Sequence, residues 1–145
     1  EYSDAKVDVI VGNILKQKTW DALDDWLDGN GKESFDVAFY RPLTLTYIGS
    51  RESKTEKGLE RMDETVSLAL LKRLYPRLSR EDGELFAVLD AKEVLPKSLL
   101  ESLRVWVSDV NRTPGIEARL DEGKNTYDQV AFWMRKKKDA PPALP

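Results

Sequence analysis

The chain has 145 residues, a formal net charge of −3, four tryptophans, and neither histidine nor cysteine. It therefore lacks the usual general base near neutral pH, the commonest metal ligand, thiolate nucleophiles, cysteine-ligated zinc and disulfides. Its length fits one domain, its 41% apolar content is enough for one core, and no apolar run approaches the roughly 20 residues that span a bilayer.

The negative charge gives no global attraction to nucleic acid, which is disfavoured as a partner. Beginning at Glu1 without a methionine, the chain reads as a processed or cut product, with room for a targeting segment ahead of it. The absence of disulfides suits a reducing compartment.

Val7, Ile10, Val11, Ile14 and Leu15 recur at helical spacing, which predicts a first helix weakened by Gly12 and Asn13. Thr19 is placed to cap a continuation in which Trp20, Leu23, Trp26 and Leu27 form one stripe. Asp21, Asp24, Asp25 and Asp28 take the other positions, and Gly29-Asn30-Gly31 stops the helix. Ser34 is positioned as the N-cap of a short helix over residues 35–40. Arg41-Pro42 interrupts it, because proline disfavours helix at the residue before it. Residues 43–47 alternate apolar and polar side chains and read locally as a short strand. Residues 49–58 are polar and charged, an exposed loop.

A strong helix follows, with Leu59, Met62, Val66, Ala69, Leu70 and Leu74 on its apolar face and Pro76 at its end. Ser79-Arg80-Glu81-Asp82 resembles a capping box for a helix carrying Leu85, Phe86 and Leu89, weakened by Gly83. Pro96-Lys97-Ser98 opens another, burying Leu99, Leu100, Leu103, Trp106, Val107 and Val110. Residues 111–115 form a turn. Thr126 with Gln129 starts a final helix through Tyr127, Val130, Ala131, Trp133 and Met134, with residues 135–138 in its last turn. A proline-rich tail occupies residues 139–145.

The expectation is a mainly α fold: one helical domain over residues 1–138, a bundle of five to seven helices with at most one short strand pair. The alternative is an α/β arrangement with a small mixed sheet. Residues 43–47 and 85–92 decide between the two.

One constellation carries catalytic chemistry. Asp82, an apolar run, then Asp90-Ala91-Lys92 resembles the core of PD-(D/E)xK nucleases. There two carboxylates hold Mg²⁺, and the lysine stabilises or activates the attacking water. Asp82 is not preceded by proline, and the spacing leaves little room for the usual hairpin. A capped helix from Ser79 accounts for the same residues without a metal and is preferred. The basic run at residues 135–138 fits phosphate contact or a nuclear address, but cations in the last turn of a helix are the simpler explanation. The acidic cluster at residues 21–28 has the spacing of a solvated helix face and lacks a calcium loop. No cofactor or metal site is expected, and the tryptophans read as core or contact residues.

Trp26-Leu27-Asp28, then Gly31-Lys32-Glu33-Ser34-Phe35 with Val37 and Phe39, then Leu43 and Leu45, resembles the WY domain of RXLR-class effectors of oomycete plant pathogens. Leu99, Leu103, Trp106, Val107, Val110 and Asn111 resemble that family's later helix, and Leu120, Tyr127, Val130, Ala131 and Met134 the helix after it. Asp109 stands where the family usually has a tyrosine, and the two blocks lie farther apart than in a standard unit. The resemblance covers about half of the chain. It implies a helical protein secreted by a pathogen, acting in the host cytoplasm or nucleus. Such a protein is not an enzyme; it binds a host protein and modulates plant immunity. It carries over no functional residue.

The expected function is accordingly a non-enzymatic effector that binds its host partner through a helical surface. The alternatives are a small Mg²⁺-dependent nuclease using Asp82, Asp90 and Lys92, and a structural or assembly protein.

Overall fold

Val130, Phe132, Met134 and Lys136 alternate along one strand and are all buried, while the residues between them are half-buried. That period of two organises the fold. The structure, a computed structural model, describes residues 7–41, 65–92, 95–123 and 128–145. The chain divides into two units, residues 1–33 and 34–145.

In the first unit, α1 (Gln17–Gly29) buries Trp20 and Leu27. Its N-cap is Lys16, and Gly31, with φ +66°, follows the C-cap Asn30 in the left-handed region that glycine enters without strain. Residues 7–16 are not helical, with Val7, Val9 and Val11 exposed. Side-chain bonds bind this segment to α1. Trp20 donates to the Ile14 carbonyl at 2.8 Å, Thr19 to the Asn13 carbonyl at 2.7 Å, and Trp26 to the Asp8 carboxylate at 3.0 Å.

The second unit is a four-stranded mixed sheet with helices against it. The elements are β1 (Val37–Tyr40), α2 (Val66–Leu74) running into a 3-10 turn (Tyr75–Arg77), β2 (Glu84–Ala91), α3 (Lys97–Arg112), β3 (Ile116–Glu122) and β4 (Gln129–Lys136). The strand order is β1-β2-β4-β3; β1 runs parallel to β2, and the other two pairings are antiparallel. The inner face carries Leu85, Ala87 and Leu89 of β2, Val130, Phe132 and Met134 of β4, and Ile116 and Ala118 of β3, all buried. Leu68, Leu70 and Leu71 of α2 are buried, as are Leu99, Leu103, Val107 and Val110 of α3. Trp106 of α3 meets Phe132 with ring centroids 5.1 Å apart.

These strands overturn the five-to-seven-helix bundle; the small mixed sheet is what forms. Residues 35–40 lie in and before β1, 84–91 are β2, and 129–136 are β4, where three helices were expected. The physical reason is shared. Each strand is apolar on both faces, so its hydrophobic positions satisfy a 3.6-residue period as well as a two-residue one. The Ser79 to Asp82 segment is a turn, not a capped helix start: the Asp82 amide donates to the Lys136 carbonyl, and Asp82 has φ +63°. Residues 135 and 136 end a strand, so their charge does not serve a helix dipole. The expectations of a helix through Trp20 to Leu27, of α2 around Leu70 and Leu74, and of α3 agree with the structure, but Thr19 lies inside α1 and does not cap it, because the helix already starts at Gln17. The strand expected at 43–47, the loop at 49–58, and the contributions of Leu59, Met62, Thr126 and Tyr127 lie outside the described residues.

The C-terminal tail is anchored. Tyr75 donates its hydroxyl to the Pro141 carbonyl at 2.7 Å, Trp106 donates to the Pro145 carbonyl at 3.2 Å, and Leu144 is buried. Gly115, with φ +79°, allows the tail to pass, since a Cβ there would meet the backbone of Asp139 and Ala140. No helix among the described residues is long and apolar enough to cross a membrane, and the chain has no cysteine to form a disulfide.

Lys136 is 5% exposed, its ammonium 4.0 Å from the centre of the Tyr75 ring and 3.3 Å from the Leu78 carbonyl that accepts its proton. Burial, and then the nearby Arg80 charge, push it down to about 8. The folded chain therefore sheds this proton at about pH 8, whereas an unfolded lysine holds it until about 10.4. Between those values the unfolded state binds more protons, so this group's contribution to stability rises with pH. Lys136→Met is expected to stabilise the protein below pH 8, with the gain shrinking between pH 8 and 10; denaturant midpoints of both proteins across that range check it.

Candidate functional site

The parity that buries one face of the sheet leaves the other without a covering helix among the described residues. Register places Phe39, Phe86, Trp133 and Arg119 in one row across all four strands: Phe39 pairs with Phe86, Phe86 with Trp133, and Trp133 with Arg119. The row on one side of it is Val37, Glu84, Arg135 and Glu117, and on the other side come Val88, Ala131 and Asp121. Phe39 is 68% exposed and Val37 55%, while Phe86, Val88 and Trp133 are half-buried. Large apolar side chains presented side by side in this way are uncommon on a surface that meets only water.

The polar groups of this face are arranged around Trp133. The Arg119 guanidinium lies over its ring at 4.4 Å and the Arg135 guanidinium at 5.7 Å, both within cation–π range. Arg135 also donates to Glu117 at 2.9 Å, and that bond holds the Glu117 carboxyl below its ordinary range. Phe39, Phe86, Val88, Arg119, Asp121 and Trp133 line a depression of about 210 Å³. The face thus has an aromatic centre bordered by Arg119 and Arg135 on one hand and Glu84, Glu117 and Asp121 on the other. Two cations against three carboxylates give no field for a phosphate backbone. Mixed charge around an aromatic centre is the composition of a protein contact.

The backbone sets residue 82 far from residue 90. Residues 84–91 are indeed a strand of a mixed sheet, and Asp90 and Lys92 lie at its C-terminal end. Asp82 stands in the turn before the strand begins. From residue 84 to residue 90 alone the strand rises about 20 Å at ~3.3 Å per residue. A shared ion needs both sets of oxygens within about 2.6 Å of it. Lys92 sits 3.9 Å from the Glu122 carboxylate, which also accepts from Arg104 of α3 at 2.9 Å. The Arg104 hydrogen bond lowers the Glu122 carboxyl, so this cluster works as an ion-paired brace between α3 and the ends of β2 and β3. Among the described residues, no group of three or more carboxylates is placed to hold a metal ion, the acidic positions of α1 included.

Sequence reasoning missed the aromatic row. Local periodicity places Phe39, Phe86 and Trp133 each in a helix, where they look like ordinary core positions. The signal was present in Leu85-Phe86-Ala87-Val88-Leu89, a continuous apolar run that a strand covered on one side cannot bury completely. Comparison with protein-family models, with curated proteins and with solved structures finds no match to this chain.

The two faces differ in their contribution to folding. Phe39→Ala is expected to change stability by no more than about 0.5 kcal/mol, as for exposed positions. Leu85→Ala, fully buried, is expected to cost about 2–5 kcal/mol. Urea denaturation of the two variants measures this asymmetry.

Proposed function

We propose that the chain is a non-enzymatic protein-binding module whose contact surface is the uncovered face of the sheet. The observation that carries this reading is the row Phe39, Phe86 and Trp133, aligned across three neighbouring strands and left open to solvent at its Phe39 end. A partner covering the row removes apolar area from water, while Arg119, Arg135, Glu84, Glu117 and Asp121 set the orientation. Tyrosine, tryptophan and arginine dominate binding energy at such surfaces, and a tryptophan flanked by two arginines supplies two of the three.

This moves the expected contact away from the helices. α2 and α3 bury their apolar faces, and the large apolar side chain that α3 leaves exposed is Val105. The role of host-directed effector, with a plant protein as partner, is proposed on the sequence resemblance alone. Its helical part is not retained, because Leu120, matched to the last family helix, lies in β3, and Val130, Ala131 and Met134 lie in β4.

The partner is tested by affinity capture from plant extract with wild type, Phe39→Lys and Val105→Lys, each checked for mass by light scattering. The expected result is a discrete partner retained by wild type and Val105→Lys and lost with Phe39→Lys. Loss with Val105→Lys alone would return the contact to the helices. A self-assembled oligomer that Phe39→Lys dissolves would make the face an assembly surface instead.

The nuclease is a second reading, favoured by one observation: residues 84–91 are a strand of a mixed sheet ending at Asp90 and Lys92. It needs a partner carboxylate other than Asp82. Incubation with DNA and RNA in Mg²⁺ is expected to give no cleavage above that of Asp90→Ala; cleavage that Asp90→Ala abolishes would install this reading in place of the first.

A further inference from the structure

The basic run at residues 135–138 is split by the strand. Arg135 goes to the open face, while Lys136 turns inward and Lys137 and Lys138 follow the strand end. There, Lys136, Lys137 and Lys138 meet Arg80 from the turn before β2 around a pocket of about 480 Å³, walled by Pro76, Pro141 and Pro142. Four cationic side chains share this space, and among the described residues no carboxylate lines it.

Lys136 is the unusual member. It is 95% buried, counting from its 5% exposure, and its neighbours are an aromatic ring and one backbone carbonyl. An ammonium has three N–H donors, and these two partners use two of them. Burying a cation without a carboxylate is costly, and the like charge of Arg80 adds to that cost. Among the described residues, no ion pair engages Lys136, Arg80 or Lys138, while Lys137 reaches Glu117 at 3.8 Å. The pocket therefore holds an excess of positive charge that an anion would neutralise. A tetrahedral oxyanion suits it best, since several oxygens can accept charge-assisted hydrogen bonds from separate cations at once.

We propose that this pocket binds a phosphate group, as the free ion or as the monoester of a small organic molecule, with Lys136 at its floor and Arg80, Lys137 and Lys138 at its rim. The prolines offer an apolar wall to the organic part of a monoester. The tail that supplies two of them is fixed by the Tyr75 bond to Pro141, so the ligand would also reinforce the docking of the tail against the 3-10 turn. The pocket lies apart from the aromatic row of the open face and meets that face only where Lys137 reaches Glu117.

The test is titration calorimetry with inorganic phosphate and with phenyl phosphate at constant ionic strength, on wild type, Lys136→Met, the double variant Arg80→Gln with Lys138→Gln, and Lys97→Met as a control on an exposed lysine of α3. Wild type is expected to bind both probes. Lys136→Met and the double variant should each weaken binding at least ten-fold, and Lys97→Met should leave it unchanged. Tighter binding of phenyl phosphate identifies a monoester as the source, and equal binding identifies the free ion. The double variant removes exposed side chains only, so it decides the matter whatever Lys136→Met does to the packing around Tyr75. The proposal is overturned by no binding to wild type, by undiminished binding to the double variant, or by equal weakening in Lys97→Met.

Discussion

The pairing of β2 with β4, with its inner face alone buried among the described residues, is the constraint on which the rest of this structure depends. Their register puts Leu85 opposite Met134 and Ala87 opposite Phe132 on the inner face, against the helices. Side chains alternate strictly along a strand, so this choice fixes every other position. Phe86 and Trp133 must point outward together, in line with Phe39 on one side and Arg119 on the other. By the same count Lys136, two residues beyond Met134, must point inward. The exposed aromatic row and the buried lysine are two consequences of one register.

The inward lysine has local compensation rather than a charge partner. The Tyr75 ring and the Leu78 carbonyl receive it, and the turn from Ser79 to Gly83 bonds across to the end of β4 in both directions. Gly83 is needed in that turn because a Cβ would meet the backbone of Ser79. The tail then closes over the same region through Tyr75 and Trp106, with Gly115 permitting the crossing. What reads in the sequence as a proline-rich appendage is therefore part of the packed unit.

The helices were legible and the strands were not. α3 is amphipathic in the simple sense: Leu99, Leu103, Val107 and Val110 face the sheet, Glu101, Arg104 and Asp109 do not, and the period is unambiguous. α1 was legible from Trp20 to Leu27 for the same reason, although the apolar residues before it proved irregular and exposed. β2 and β4 carry apolar side chains on both faces, so Leu85, Phe86 and Leu89, or Val130, Trp133 and Met134, fit a helix too. The missing polar alternation is the feature on which the proposed contact surface rests, since apolar side chains side by side on a solvent-facing strand surface are uncommon. For the candidate site, the sequence offered Asp82, Asp90 and Lys92, and the strand that carries them separates the first from the others. The residues of the open face become a set only through register, which no local pattern contains.

The central claim is that β2 and β4 form the middle of a sheet with an open aromatic face. Nuclear Overhauser contacts in the isotopically labelled protein test it most directly. The account predicts cross-strand backbone contacts between Phe39 and Phe86, Phe86 and Trp133, and Trp133 and Arg119, with no contacts from the Phe39 ring to the methyl groups of Leu71, Leu99 or Leu103. Sequential helical contacts through residues 84–91 and 129–136, or Phe39 ring contacts to those methyl groups, would contradict it.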